Sequence, residues 1–232
     1  MSRRYFLEAS IVDSKTHLAG DEAKHLAKVL RARPGEQVTL FAGDGLEHLA
    51  QILSVGKSQI ELGILSSEEV SRESPRFLRL AVALPKGDRQ RFLIEKCVEL
   101  GVSQIVPLVA ARSVAQPSGK ALQRCRRYVI ESAKQCGRNQ LLRIDEACTA
   151  EQFWNQETTG RRLVAHPYGE GLTKFNALSG EDEVTIAVGP EGGFTDDEIA
   201  GAQSAGWTLL YLGPRILRVE TAAFCVAARL LD

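Results

Sequence analysis

The sequence predicts an α/β protein in two parts, a small β-rich domain over residues 1–70 and a larger parallel-sheet domain over residues 76–232. Three observations carry this. Short apolar stretches broken by glycine and proline turns fill the first 70 residues. After Pro75, continuous apolar runs alternate with amphipathic stretches. Between the two, residues 66–75 are rich in Ser, Glu and Arg and poor in apolar side chains, which makes them the expected linker.

In the first part, strands are expected over 37–41, 49–55 and 60–65. They are separated by Pro34-Gly35, Gly43-Asp44-Gly45 and Gly56-Lys57. One helix is expected over 22–31, capped by Asp21, with Leu26, Val29 and Leu30 on one side. Such a composition suits a small barrel. In the second part, 78–84 reads as a buried strand. Residues 88–100 form an amphipathic helix with Leu93, Cys97 and Leu100 on one stripe, and Gly101 stands where a helix end wants a positive φ. A strand at 105–109 precedes a long helix over 120–136 that turns Leu122, Val129, Ala133 and Cys136 inward. Arg124, Arg126 and Arg127 have no place in that stripe. Strands at 163–166, 184–188 and 208–212 follow, the last two leading into helices at 196–205 and 220–231. Strands buried on both faces with helical crossovers imply a mostly parallel sheet.

The chain of 232 residues carries 29 basic and 29 acidic side chains, but the balance is uneven along it. Residues 1–72 hold 9 Lys/Arg against 10 Asp/Glu, residues 73–150 hold 14 against 7, and residues 151–232 hold 6 against 12. A basic middle third suits a phosphate backbone, although a solvated helix face neutralised by acidic neighbours fits the charge at least as well. Five cysteines, an odd number without a C-x-x-C pair, argue against a disulfide framework and against a zinc site, so no metal is expected. Free thiols point to the cytoplasm. No run approaches the roughly 18 apolar residues of a membrane span.

Two loops carry the chemistry, both at the C-terminal ends of expected strands, the edge where open α/β sheets bind ligands. The first holds Gly189, Pro190, Glu191, Gly192, Gly193 and Phe194, and Thr195 with Glu198 then forms a capping box. Three glycines let a ligand approach the backbone closely. The spacing matches neither a Walker A loop nor a dinucleotide fingerprint. The second loop holds Leu212, Gly213, Pro214, Arg215, Ile216, Leu217 and Arg218, with Glu220 and Thr221 opening the last helix. Apolar residues between arginines suggest a segment folded around something flat and partly apolar, such as an adenine ring.

Together GPEGGFTDDE and LGPRILRVETA resemble the C-terminal signature of the 16S rRNA uridine-N3 methyltransferases, a family in the SPOUT group. The likeness extends to ALPKGDR at 83–89 with Glu95, Lys96 and ELGV at 99–102, to Arg112-Ser113, and to Glu131, Ala133, Gln135, Gly137 and Arg138. In the first part His25-Leu26, Val29-Leu30-Arg31, Gly35 and Gly43-Asp44-Gly45 resemble the family's PUA-like RNA-binding domain. Cys136 and Leu142 depart from the family pattern, which more often has Ser and Pro there. The resemblance implies a trefoil-knotted SPOUT domain, a homodimer, and S-adenosylmethionine held by His166, Pro167, Gly189 to Gly193, Leu212, Gly213, Arg215, Ile216, Leu217, Arg218 and Thr221.

The implied reaction moves a methyl group from a sulfonium to N3 of a uridine in 16S rRNA, on the assembled small subunit. For it, Arg218 is the expected cation, and Glu191 or Glu220 the expected proton acceptor. Helix-end stabilisation accounts equally well for Glu220, and an ion pair to a glutamate for Arg218. Arg4, His25, Arg31, Lys86, Arg112 and Arg138 are the candidates for RNA contact. His17 and His48 read as incidental, and Cys97, Cys125 and Cys225 as core residues. A SPOUT enzyme acting on another atom, a non-catalytic RNA-binding factor and a nucleotide-dependent oxidoreductase are the alternatives.

Overall fold

The computed structural model describes residues 4–114, 116–170 and 182–231. The chain divides into two compact units, one of Met1–Glu73 with Ala133–Leu141, the other of Ser74–Ser132 with Leu142–Asp232.

The first unit is a five-stranded mixed sheet in the order β1-β3-β4-β5-β2, comprising β1 (Arg4–Phe6), β2 (Lys15–Ala19), β3 (Gln37–Phe41), β4 (Leu46–Val55) and β5 (Gln59–Glu69). β1 runs parallel to β3, and the other neighbours are antiparallel. Tyr5, Leu18, Leu26, Leu40, Ile52 and Ile60 fill its core. Three expectations change here. Residues 66–69 are not linker, because β5 continues to Glu69 opposite Leu46. Once β4 extends back to Leu46, its main-chain groups need partners, and that requirement outweighs polar composition. The helix starts earlier, as α1 (Gly20–Lys24), with Ala19 rather than Asp21 at the N-cap. It then widens into a π turn, His25–Val29. Leu26 is buried as expected but Leu30 is exposed, and the side chain of Val29 lies outside the described residues.

Within this unit a polar seam secures Ala133–Leu141. Arg4 donates to the Glu47 carboxylate (2.7 Å), to the carbonyl of Arg138 (3.0 Å) and to the Asn139 side-chain oxygen. Arg138 grips Glu73 through two bonds of 3.0 and 2.5 Å. Burial raises the Glu47 carboxyl, but hydrogen bonds from Arg4, Arg72 and Asn139 outweigh it and hold the group below its ordinary value.

The second unit contains a seven-stranded sheet in which every neighbouring pair is parallel. The strands are β6 (Phe77–Val82), β7 (Gln104–Val109), β8 (Arg143–Ile144), β9 (Cys148–Thr149), β10 (Arg161–Glu170), β11 (Glu183–Val188) and β12 (Thr208–Leu210). Their order is β12-β10-β11-β6-β7-β8, with β9 on β7. The helices are α2 (Asp88–Glu99), α3 (Gly119–Cys136), α4 (Ala150–Trp154), α5 (Asp196–Ser204) and α6 (Val219–Leu230). Gly101, at φ 84°, ends α2 as the sequence requires. Its amide donates to Val98 and that of Val102 to Cys97, a two-bond helix stop that Gly206 and Trp207 repeat after α5. The Thr195–Glu198 capping box is present. The short α4 and its Thr149–Gln152 capping box went unread in the sequence. With five residues it is too short for a helical period to show.

Candidate active site

Because β10 lies between β11 and β12, the C-terminal ends of three adjacent strands supply the site. A cavity of about 400 Å³ opens there, within the roughly 300–1,000 Å³ usual for small-molecule sites. β10 contributes Ala165, His166 and Pro167. The loop after β11 contributes Gly189, Pro190, Glu191, Gly192, Gly193 and Phe194. The loop after β12 contributes Leu212, Gly213, Arg215, Ile216 and Leu217. Val188, Asp196, Val219, Ala222 and Arg112 complete the lining. Twelve of the fourteen residues expected to hold a cofactor therefore come together, while Arg218 and Thr221 are not among the lining residues.

The first loop is fixed by packing at one end. Phe194 is buried edge-on against Trp154, with ring centroids 5.5 Å apart, and Trp154 in turn packs on Trp207 at 5.0 Å. Gly189 lets the chain pass close to Phe194: a Cβ there would lie 3.0 Å from the ring and press it aside. A Cβ on Gly192 would lie 3.2 Å from the Arg112 side chain. Arg112 closes over the loop and donates to the carbonyls of Gly192 (2.8 Å) and Phe194 (3.4 Å). Next to it, the Ala111 amide donates to Glu198 at 2.8 Å. In the second loop Gly213 sits at φ 116°, a conformation L side chains rarely adopt.

Charge at the cavity is mixed. Burial pushes the His166 imidazole below its ordinary value, against the opposing influence of Asp196. At neutral pH it therefore offers a neutral ring. Glu191 and Asp196 supply negative charge, and Arg112 and Arg215 supply positive charge. Ile216 is 97% exposed although it lines the cavity.

Several expected roles change. Glu220 is 6% exposed and both its oxygens accept from Arg89, at 3.0 and 2.7 Å. Those hydrogen bonds hold its carboxyl below the ordinary value. A carboxylate gripped in this way is a poor proton acceptor. Arg218 serves as the N-cap residue of α6 with its side chain exposed, and the ion pair to Glu220, the alternative reading of Arg218, is made by Arg89. Arg4 and Arg138 are 8% and 4% exposed and ion-paired, which argues against the RNA contact expected of them. His25, Arg31 and Lys86 are exposed. Cys97 and Cys125 are buried, and burial pushes the Cys97 thiol up to about 12. His48 is buried beside the Ser67 hydroxyl, 2.7 Å away.

Family comparison fits this architecture. An RNA methyltransferase domain model matches residues 72–231, and an RNA methyltransferase PUA domain model matches residues 18–65. The chain belongs to the RNA methyltransferase family. It is 30% identical to the ribosomal RNA small subunit methyltransferase E of Bacillus subtilis over 95% of this chain and 92% of that protein. The Synechocystis protein of the same name is 32% identical over 95% of this chain and 74% of its own length. Among solved structures, the Neisseria gonorrhoeae ribosomal RNA small subunit methyltransferase E bound to S-adenosyl methionine is 32% identical. It superposes with a TM-score of 0.89 over 98% of this chain and 96% of that one. A Legionella pneumophila protein in complex with the bound cofactor SAM gives 0.91 at 33% identity, over 99% and 97% of the two chains.

Arg89 is the residue of this methyltransferase that sequence reasoning quoted without assigning a role. It stands in the first turn of α2, where a cation opposes the helix dipole. That local mismatch was the available signal. Arg112, expected on RNA, lines the cavity of the methyltransferase. Among the described residues no helix is long and apolar enough to cross a membrane, and no cluster of His, Cys, Asp or Glu could hold a metal ion.

Proposed function

We propose that this methyltransferase uses S-adenosylmethionine to methylate N3 of a uridine in 16S rRNA, with the assembled small subunit as substrate. The observation that carries the reading is the glycine-lined cavity formed by the loops after β11 and β12 beside His166 and Pro167. Its lining suits the cofactor. Val188, Leu212, Ile216 and Leu217 offer apolar surface to an adenine, and loop main chain offers donors and acceptors to its edge. Arg112 suits a carboxylate, while Glu191 and Asp196 suit an amino group or a sulfonium. When bound, the cofactor supplies an electrophilic methyl group.

The chain's own residues then position the base. Glu191, exposed on the cavity lining and met by Arg89 at one oxygen where buried Glu220 is met at both, is the proposed acceptor of the N3 proton. Arg215 takes the cationic role first expected of Arg218, stabilising charge on the uracil carbonyls. N3 lies on the pairing edge, so a paired target base leaves its helix to react. His25 and Arg31 in a PUA-like domain over residues 1–70, and Lys86 in a methyltransferase domain over residues 76–232, are the proposed RNA contacts. The same reading includes a SPOUT knot in the larger domain, a cytoplasmic address and a homodimer. A second copy would cover Ile216. The test is incubation with methyl-labelled S-adenosylmethionine and unmodified small subunits, followed by nucleoside analysis. Label in 3-methyluridine is expected, and label in a ribose-methylated nucleoside would sink the N3 assignment.

A further inference from the structure

Arg89 places one guanidinium on three segments of the larger unit. It rises from the first turn of α2 and meets Glu220 in the first turn of α6 side-on, with Nε to Oε1 at 3.0 Å and Nη2 to Oε2 at 2.7 Å. Its remaining nitrogen, Nη1, donates to Glu191 Oε1 at 3.0 Å, in the loop after β11. Glu220 begins the helix that follows the second cavity loop, and Glu191 belongs to the first. One planar fork thus joins the first cavity loop to the helix that follows the second, and Arg89 itself is not part of the lining.

We propose that Arg89 is a positioning residue that ties the loop after β11 to the start of α6 and so holds Glu191 at the cavity. Only a guanidinium can make the side-on pair and a third bond at once, because its donors lie in one rigid plane. Lysine offers a single point charge and cannot hold both carboxylates in this geometry. Glu220 is the buried partner that fixes Arg89 in place, while exposed Glu191 is the partner being placed. The hydrogen bonds with Glu220 raise the Arg89 guanidinium and lower the Glu220 carboxyl, so both remain charged. The inference rests on reading the cavity as the cofactor site, and it assigns to that site a control by a residue outside it.

The experiment pairs Arg89→Met with Glu220→Gln, so that neither charge is left buried alone. Cofactor affinity of the full chain is measured by calorimetry, with RNA KM and melting temperature alongside. S-adenosylmethionine affinity is expected to fall roughly tenfold, with RNA KM unmoved and Arg89→Lys intermediate. Glu191→Gln is expected to weaken affinity severalfold in the wild-type background and hardly at all in the paired variant. A folded paired variant with undiminished affinity overturns the inference. Should that variant not fold, Arg89→Lys carries the test, and wild-type affinity there overturns it equally. A wild-type chain that binds no S-adenosylmethionine overturns the cofactor reading, and the inference with it.

Discussion

In the N-terminal unit Arg4 and Arg138 lie almost wholly inside, each ending on a carboxylate, Glu47 or Glu73. Around the cavity of the larger unit, Arg112 and Arg215 stay exposed, and Arg112 ends on the main-chain carbonyls of a glycine-rich loop. The same side chain thus stabilises a fold in one unit and shapes a ligand site in the other. Burial and the kind of acceptor separate the two uses. Carboxylate partners with little water around them make a strut whose loss is felt throughout its unit. Carbonyl partners at an open rim make a brace whose loss is felt by the ligand.

The sharpest way to break this contrast is Arg138→Ala. It leaves Glu73 without its bidentate partner in a largely buried setting, so a loss of about 3–5 kcal/mol of stability is expected in denaturant titration. An RNA-contact role would instead leave stability unchanged and raise RNA KM. Arg112→Ala should do the reverse. The expected outcome is a roughly tenfold loss of cofactor affinity with melting temperature nearly unchanged, and a selective rise in RNA KM would return Arg112 to the RNA surface.

Much of the larger unit was legible because its signals are local. Buried parallel strands read as continuous apolar runs, Gly101 and Thr195 mark helix ends, glycines at 189 and 192 mark close approaches, and Gly213 marks a positive φ. The arginine roles were not legible, because a partner 131 positions away, as Glu220 is from Arg89, leaves no trace in spacing. The same holds for the extension of β5 to Glu69, which depends on where β4 begins. Nothing in composition indicated that Ala133–Leu141 joins the first unit. That follows from Asn139 and Arg138 meeting Arg4, Val70 and Glu73.

Acid should act on both units in the same direction. Glu47 and Glu220 have folded-state values below the 4.5 of an ordinary glutamate. Each therefore contributes stability that is present above that value and lost as pH falls through the lower, folded one. Melting temperature is expected to be flat near neutrality and to drop below about pH 4.5, less steeply in Glu220→Gln. A shallower fall beginning below about pH 6.5 is expected from His166, whose imidazole burial holds below its ordinary value. Smallest of all, His25→Ala and Arg31→Ala should change RNA KM by only about two- to threefold each, as exposed single contacts do, with no effect on cofactor affinity.

The claim that the glycine-lined cavity holds the cofactor is tested most directly by titrating S-adenosylmethionine into the wild-type chain and into Gly189→Val. A valine there would press on Phe194, whose ring would stand 3.0 Å from the new Cβ, and its two methyl groups would crowd the ring and the cavity further. Saturable binding by the wild type and a loss of roughly a hundredfold or more in the folded variant are expected. Equal affinity in the two would place the cofactor somewhere other than this cavity.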